Sequence, residues 1–272
     1  MKSKNICYLS KDSFPSISIT GEACYFSCMH CNRKYLKFMM HVTQEDLYQK
    51  AIELNNKGTK GILVSGGLDE SGKLPIDYSI LKKIKKDTDL IINLHSGFLT
   101  RDDAKKIKKS GIDAVSIDFV GSNDTIERIL KIPFKVSDYE NTLRFLIEEG
   151  VNVIPHICVG LDYGKVLGEY NAVEILKEYP IKSLTLLVLI KNELEKISSF
   201  DYDIQSIKDF FFYTRNSFPD AKLSLGCMRP RIKDLDETVL LFDNIVNPTK
   251  NMIKLIRNES NIIVKEICCS VC

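Results

Sequence analysis

The sequence predicts an α/β fold, a complete or nearly complete (β/α) TIM-type barrel, on three observations. Short β-branched runs alternate with helical patterns of about ten to sixteen residues, the order that builds a parallel sheet from strand–helix units. A length of 272 residues suits one such barrel as a single unit. A hydrophobic content of 44% is enough to fill its core. An open, doubly wound sheet is the alternative, and in both architectures chemistry sits at the C-terminal ends of the strands.

Taken in order, the first strand is expected over residues 16–20 and runs into a loop with three cysteines. Thr43 is a fitting N-cap for a helix over 44–55. Strands over 61–65 and 90–94 precede a helix over 101–109, which Ser110-Gly111 stops. A strand over 114–119 and a helix over 137–149, closed by Gly150, lead to a strand over 152–159. Then come helix 172–178, strand 183–189, helix 204–216, strand 222–225 and helix 249–257, with residues 262–267 as an eighth strand. The 120s to 130s and the stretch 230–248 read as irregular excursions. Residues 1–260 make the expected barrel and residues 261–272 a cysteine-rich tail.

Charge and hydropathy narrow the classes of function. With 38 basic and 36 acidic residues the net charge is +2, which argues against a nucleic-acid partner held by a basic surface. No run approaches the roughly 18 apolar residues of a membrane span, and the N-terminal MKSKNICYLSKD has no apolar signal core. The expectation is a cytoplasmic protein with no membrane partner. In a reducing compartment, clustered cysteines point to metal or catalysis. The nine here fall into Cys24, Cys28, Cys31 near one end, Cys268, Cys269, Cys272 at the other, and singles at 7, 158 and 227.

Cys24-Tyr-Phe-Ser-Cys28-Met-His-Cys31 has the spacing C-x3-C-x2-C on a loop after the first strand. Three thiolates on one loop wrap one face of a cubane cluster and leave the fourth iron open to a ligand. A zinc site with His30 as fourth ligand is the alternative at this point. The stretch Ile62-Leu-Val-Ser-Gly66-Gly67 ends the second expected strand, where glycines permit close backbone approach. Asn93, His95 and Asp118 sit at strand ends, His156 lies within a strand, and Glu169 follows Gly160 on a loop. Polar side chains at a barrel mouth read as binding or catalytic groups. Alternatively Asp118 caps a helix, His95 bonds a core carbonyl, His156 belongs to the core, and Glu169 caps the next helix.

This combination of strand, cysteine loop and barrel resembles the radical S-adenosylmethionine (SAM) superfamily over nearly the whole chain. The resemblance implies a [4Fe–4S] cluster on Cys24, Cys28 and Cys31 whose open iron binds SAM. It also implies a reductant such as ferredoxin, and cleavage of SAM to a 5′-deoxyadenosyl radical. Gly66 and Gly67 look like the stretch that contacts the SAM amino group. The acidic residue usual after it is replaced by Leu68, so that contact rests on backbone carbonyls. Ile154–Gly160 looks like the segment that packs against adenine. By the same resemblance Asn93, His95, Asp118, His156 and Glu169 are candidates for SAM or substrate contacts, with His95 and Asp118 as the catalytic pair. Arg229 and Arg231 are candidates for holding a carboxylate, or else surface residues.

Cys227 with Cys268, Cys269 and Cys272 are candidates for an auxiliary [4Fe–4S] cluster, with Cys7 as a rival ligand. Zinc, or a tail whose thiols bind nothing, are the alternatives. Segments 93–97, 155–169 and 226–231 resemble archaeal biotin-synthase-like proteins, a group that includes one component of the two-protein archaeal-type lipoyl synthase. That likeness implies sulfur insertion into an octanoyl chain on a carrier protein, with a second radical SAM protein as partner. A radical methylase or another cofactor-building enzyme with one cluster is the runner-up. A non-catalytic metal-binding scaffold is the reading from another class, and it predicts no affinity for SAM.

Overall fold

The computed structural model describes residues 4–8, 13–191 and 200–271. The strands are β1 (Lys4–Cys7), β2 (Ser16–Ser18), β3 (Met40–His41), β4 (Gly61–Ser65), β5 (Ile91–His95), β6 (Ala114–Asp118), β7 (Val153–Val159), β8 (Ser183–Val188), β9 (Lys222–Leu225), β10 (Asn244–Val246) and β11 (Ile262–Lys265). The α-helices are α1 (Gln44–Asn56), α2 (Tyr78–Asp87), α3 (Arg101–Ser110), the short α4 (Asn123–Thr125), α5 (Val136–Glu148), α6 (Glu169–Lys177), α7 (Ile204–Ser217) and α8 (Lys250–Glu259).

Every strand pairs in parallel with its neighbours in one sheet of order β11-β1-β10-β9-β8-β7-β6-β5-β4-β2-β3, curled into a half-barrel. This is the expected α/β barrel architecture, with edges at β11 and β3. Helices cover the outside and bury Leu47, Ile84, Ile107, Leu143, Leu176 and Phe210 against the strands. Each such side chain contributes about 1.5–3 kcal/mol by leaving water. Among the described residues no helix is long and apolar enough to cross a membrane.

Several elements were not expected from the sequence. β1, β3 and β10 are only two to four residues long, too short to show a periodicity. Helix α2 is capped by Asp77, whose side chain accepts from the Ser79 amide, and buries Leu81 and Ile84. The stretch 230–248, expected to be irregular, holds a 3-10 helix (Lys233–Leu241) and β10.

The concave face differs from an apolar barrel interior. The paired strands bring Asn5, Asn244, Ser224 and Thr185 into line across β1, β10, β9 and β8. Asn5 donates to Asn244 at 2.7 Å, and Asn244 donates to Ser224 at 2.9 Å. On β5 and β6, Ser116 donates to the Asn93 side chain at 3.0 Å. Buried polar groups are stable only when partnered, so this layer marks a lumen shaped for polar contents rather than a packed hydrocarbon core.

Candidate active site at the barrel mouth

The cysteine loop leaves β2 through a left-handed Gly21 and is fastened on three sides. The Ala23 amide donates to Thr20, Met29 donates to the Ile129 carbonyl at 2.8 Å, and Cys31 and Asn32 donate back to Cys28. Asn32 and Arg33 take positive φ, turning the chain sharply after Cys31. A 3-10 turn (Lys34–Phe38) follows and closes the loop.

The glycine stretch after β4 is the loop's platform. The Gly67 amide donates to Thr20 Oγ1 at 2.7 Å, and the Leu68 amide donates to Cys24 Sγ at 3.3 Å. The Tyr25 amide returns to the Leu68 carbonyl at 2.8 Å. A Cβ on Gly67 would lie 1.9 Å from the Ala23 carbonyl oxygen and 2.5 Å from Cys24 Cβ. Position 67 must therefore be glycine for the loop to seat.

Burial, then the neighbouring Cys31 and Cys24, push the Cys28 thiol up to about 12. Burial also raises Cys31, against backbone hydrogen bonds from Arg33 and Tyr35. Thiols crowded in this way need a cation to be held as thiolates. Among the described residues, the one group of His, Cys, Asp and Glu ligand atoms closing within 4.8 Å of each other is His95, Asp118 and His156. The three cysteine sulfurs do not all lie within 4.8 Å of one another, as the ligands of one tetrahedral zinc would. The donor set fits a [4Fe–4S] cluster, which when bound supplies the electron that splits SAM.

Next to the loop, β5, β6 and β7 present His95, Asp118 and His156. His95 Nε2 lies 3.5 Å from Asp118 Oδ2, and the two imidazole rings are 6.2 Å apart. Burial works against the Asp118 charge, but His95, with help from His156 and His30, holds the carboxyl well below the usual range. Burial also opposes the His95 charge, and Asp118 overcomes it to raise His95. His156 is pushed down to about 4 by burial, with His95 adding to the effect. Asp118 thus favours the charged form of His95, while His156 beside them is favoured neutral. His30, between Cys28 and Cys31, is lowered by burial, and its Nδ1 has no hydrogen-bond partner among the described residues.

The remaining candidates have varied settings. Asn93 is buried, accepts from Ser116 and donates to Cys268 Sγ at 3.8 Å, deeper in the lumen than the mouth. Glu169 opens α6 rather than lying on a loop. Its carboxylate accepts from the Gly160, Leu161 and Leu167 amides at 2.7, 3.4 and 2.8 Å, which clamps the turn after β7. Burial still raises Glu169 against those bonds. That turn and β7 line a shallow recess with Phe119, Ile157, Cys158 and Leu161. Arg229 is buried and donates to the carbonyls of Gly226 and Asn247, joining the exits of β9 and β10, while Arg231 is exposed. Cys272 lies outside the described residues, as does the side chain of Cys269.

Sequence reasoning passed over Ser116 and Ser270, and set Cys7 beside Cys227 and the tail cysteines only as a rival ligand. Ser270 in the tail shares hydrogen bonds with Ser116 at 2.8 Å and His156 Nε2 at 3.1 Å. Cys7 is disulfide-bonded and packs with Val246, Cys227 and Cys268 in one cluster. The pairing of β1 with β10 and β11, more than two hundred residues away in sequence, brings Cys7 there.

A half-barrel with a three-thiol loop after its first barrel strand and a glycine platform on the next defines a SAM-dependent radical enzyme. The chain belongs to the Radical SAM superfamily, which it matches over residues 18–165, more than half its length. The crystal structure of methylornithine synthase (PylB) is similar with TM-score 0.64 at 13% identity, covering 97% of this chain and 72% of that one. The [FeFe]-hydrogenase maturase HydG from Carboxydothermus hydrogenoformans has TM-score 0.64 at 19% identity, covering 90% and 58%. SuiB from Streptococcus suis bound to S-adenosylmethionine has TM-score 0.60 at 10% identity, covering 86% and 52%. The chain thus spans less than two thirds of HydG and SuiB, and at these identities the likeness is one of fold. Among curated proteins none matches the sequence.

Proposed function

We propose that this enzyme uses SAM-derived radical chemistry to insert sulfur into an octanoyl chain carried on a protein lysine, as one component of a two-protein lipoyl synthase. Cys24, Cys28 and Cys31 hold the SAM-binding cluster, and the carbonyls of Gly66 and Gly67 receive the SAM amino group. Asp118, paired with His95, accepts from ribose hydroxyls, and Ile157 to Gly160 face the adenine. Glu169 orients that turn through its three amide bonds. His156, kept neutral, is available to hydrogen-bond substrate.

The observation that carries the reading is a second group of thiols inside the same barrel. Cys227 packs against the buried cluster that contains Cys268, and the tail that carries Cys268, Cys269 and Cys272 is tied by Ser270 to His156, a neighbour of the SAM site. An enzyme that only abstracts hydrogen needs no second thiol set, whereas sulfur insertion needs a sulfide source, here an auxiliary cluster. The polar lumen suits the amide that joins the acyl chain to lysine better than a bare hydrocarbon.

The test incubates anaerobically reconstituted protein with SAM, reduced ferredoxin, an octanoyl-lysine carrier protein and the second radical SAM protein. The expected products are 5′-deoxyadenosine and a carrier heavier by sulfur, read by mass spectrometry. Deoxyadenosine with no sulfur gain on any acyl carrier moves the reaction to a single-cluster methylase or another cofactor-building step. Absence of deoxyadenosine removes the radical reading itself.

A further inference from the structure

We propose that His95, Asp118 and His156 hold one divalent transition-metal ion, of the zinc and ferrous-iron class, at the barrel mouth and apart from the iron of the cysteine loop. The site stands on geometry; only the substrate group offered to the ion rests on the function proposed above. The three residues come from consecutive strands, β5, β6 and β7. Asp118 pairs in register with His156, and His95 pairs with Ser116, two residues before Asp118 on the same face. The sheet thus aims two imidazoles and one carboxylate at a single point of the lumen.

One ligand atom from each residue lies within 4.8 Å of the other two, the one such group among the described residues. His95 Nε2 and Asp118 Oδ2 are 3.5 Å apart. Bonds of about 2.0–2.1 Å in a tetrahedral sphere set neighbouring ligands roughly 3.3 Å apart, so small side-chain rotations close all three on one ion. An ion pair alone would account for His95 and Asp118 but gives a second imidazole no reason to converge on them. Ser270 fixes the His156 ring at Nε2 from 3.1 Å and is itself held by Ser116 at 2.8 Å. Ser116 also donates to Asn93, which makes a polar chain behind the imidazole. Such outer partners orient the histidines that bind metals.

The donor set selects the ion. Imidazole nitrogen favours zinc and ferrous iron over magnesium or calcium, which prefer oxygen alone. Three protein ligands leave positions open, as in catalytic rather than structural metal sites. Solvent reaches both the His95 ring and the Asp118 carboxylate, so those positions face the lumen. On the neighbouring cysteine loop, His30 Nδ1 is buried with no hydrogen-bond partner among the described residues, within electrostatic reach of Asp118. An ion with an open position carries water, the kind of partner this nitrogen lacks. Asp118 gives the ion Oδ2, the oxygen facing His95, and keeps Oδ1 for the ribose contact. The ion's own ligand is then a carbonyl or carboxylate oxygen entering the lumen, which in the function proposed above is the amide carbonyl of the acyl-lysine.

The experiment titrates cobalt(II) anaerobically into full-length C24A/C28A/C31A protein, whose loop can hold no cluster. One cobalt per chain is expected, with visible d–d bands and without the near-ultraviolet charge-transfer band of a thiolate ligand. Asp118→Asn or His156→Ala in that background should weaken binding at least about a hundredfold with unchanged far-ultraviolet circular dichroism. The holoenzyme gives the second measurement. After reconstitution, exposure to zinc and gel filtration, it should hold one zinc beyond its iron, and Asp118→Asn should lose the zinc while keeping the iron count. Retained iron shows that the fold and the cysteine loop survive the substitution. Binding only at about millimolar cobalt overturns the proposal. So do a thiolate charge-transfer band, or affinity that neither substitution lowers. Cobalt bands that do not shift when octanoyl-lysine carrier is added leave the metal site standing and remove the acyl amide as its ligand.

Discussion

At the residue scale the site depends most on Gly67. It is fixed by a contact with protein: its α-carbon faces the Ala23 carbonyl and Cys24, leaving no room for a methyl group. Alanine there forces the cysteine loop or the β4 exit to move, and the Leu68 amide then loses its bond to Cys24 Sγ. The Gly67→Ala protein is expected to keep its far-ultraviolet circular dichroism. Its reductive SAM cleavage should fall at least about tenfold, equivalent to about 1.4 kcal/mol in the barrier. Unchanged cleavage would show that the loop seats without this platform. At this scale much of the site was legible: the cysteine spacing and the Gly66-Gly67 pair are local patterns whose chemistry follows from the residues. The destination of Asn93 was not legible. Its strand position predicts only that it faces the lumen, and its bond to Cys268 depends on a tail 175 residues away.

At the element scale the helices that carry strong end signals formed where those signals lie. Thr43 accepts from the Asp46 amide and Thr249 from the Met252 amide, as N-caps do. The start of α3 is the best example, and the sequence showed only its end. Thr100 and Asp103 form a reciprocal capping box, and Asp103 also takes the Lys73 ammonium at 2.6 Å from the loop after β4. The box thus ties the glycine-platform loop to the helix. Burial opposes the Asp103 charge, but Lys73 and Thr100 outweigh it and leave the carboxyl below its ordinary value of 3.8. A lowered carboxylate stabilises the fold above its unfolded pKa, and that contribution is lost as pH falls through the folded value. Asp103→Asn is therefore expected to cost about 1–2 kcal/mol at neutral pH. In a chain of this size that lowers Tm by roughly 2–8 °C. The gap between wild type and variant should close below about pH 4. A gap that stays constant down to pH 3 would assign the cost to packing instead of charge.

At the scale of the whole molecule the two ends of the chain are one structural unit. β1 lies between β10 and β11, pairing Asn5 with Asn244 and Ile263, and Lys4 Nζ donates to the carbonyls of Leu240 and Phe242 at 2.9 and 2.7 Å. No local periodicity announces a four-residue strand whose partners are about 240 positions away, which is why the sequence showed a first strand only at residue 16. Such a pairing also closes the longest loop the chain has, so it forms late and opens early relative to the local βα units. β11 has β1 as its sheet neighbour, and two of its side chains, Ile263 and Val264, are exposed, so little else holds it. Deleting residues 1–8 should therefore release β11 and the tail while β4 to β9, paired along their lengths with each other, stay formed. Native-state hydrogen exchange reads this directly: amides of residues 262–265 are expected to lose protection by about a hundredfold or more, and those of 153–159 by less than threefold. Full protection of 262–265 in the shortened protein would mean the tail is held by its lumen contacts through Cys268 and Ser270. Loss of protection in both segments would make the pairing of the two ends a condition for the entire barrel, coupling the N-terminal strand to the SAM site as well as to the tail.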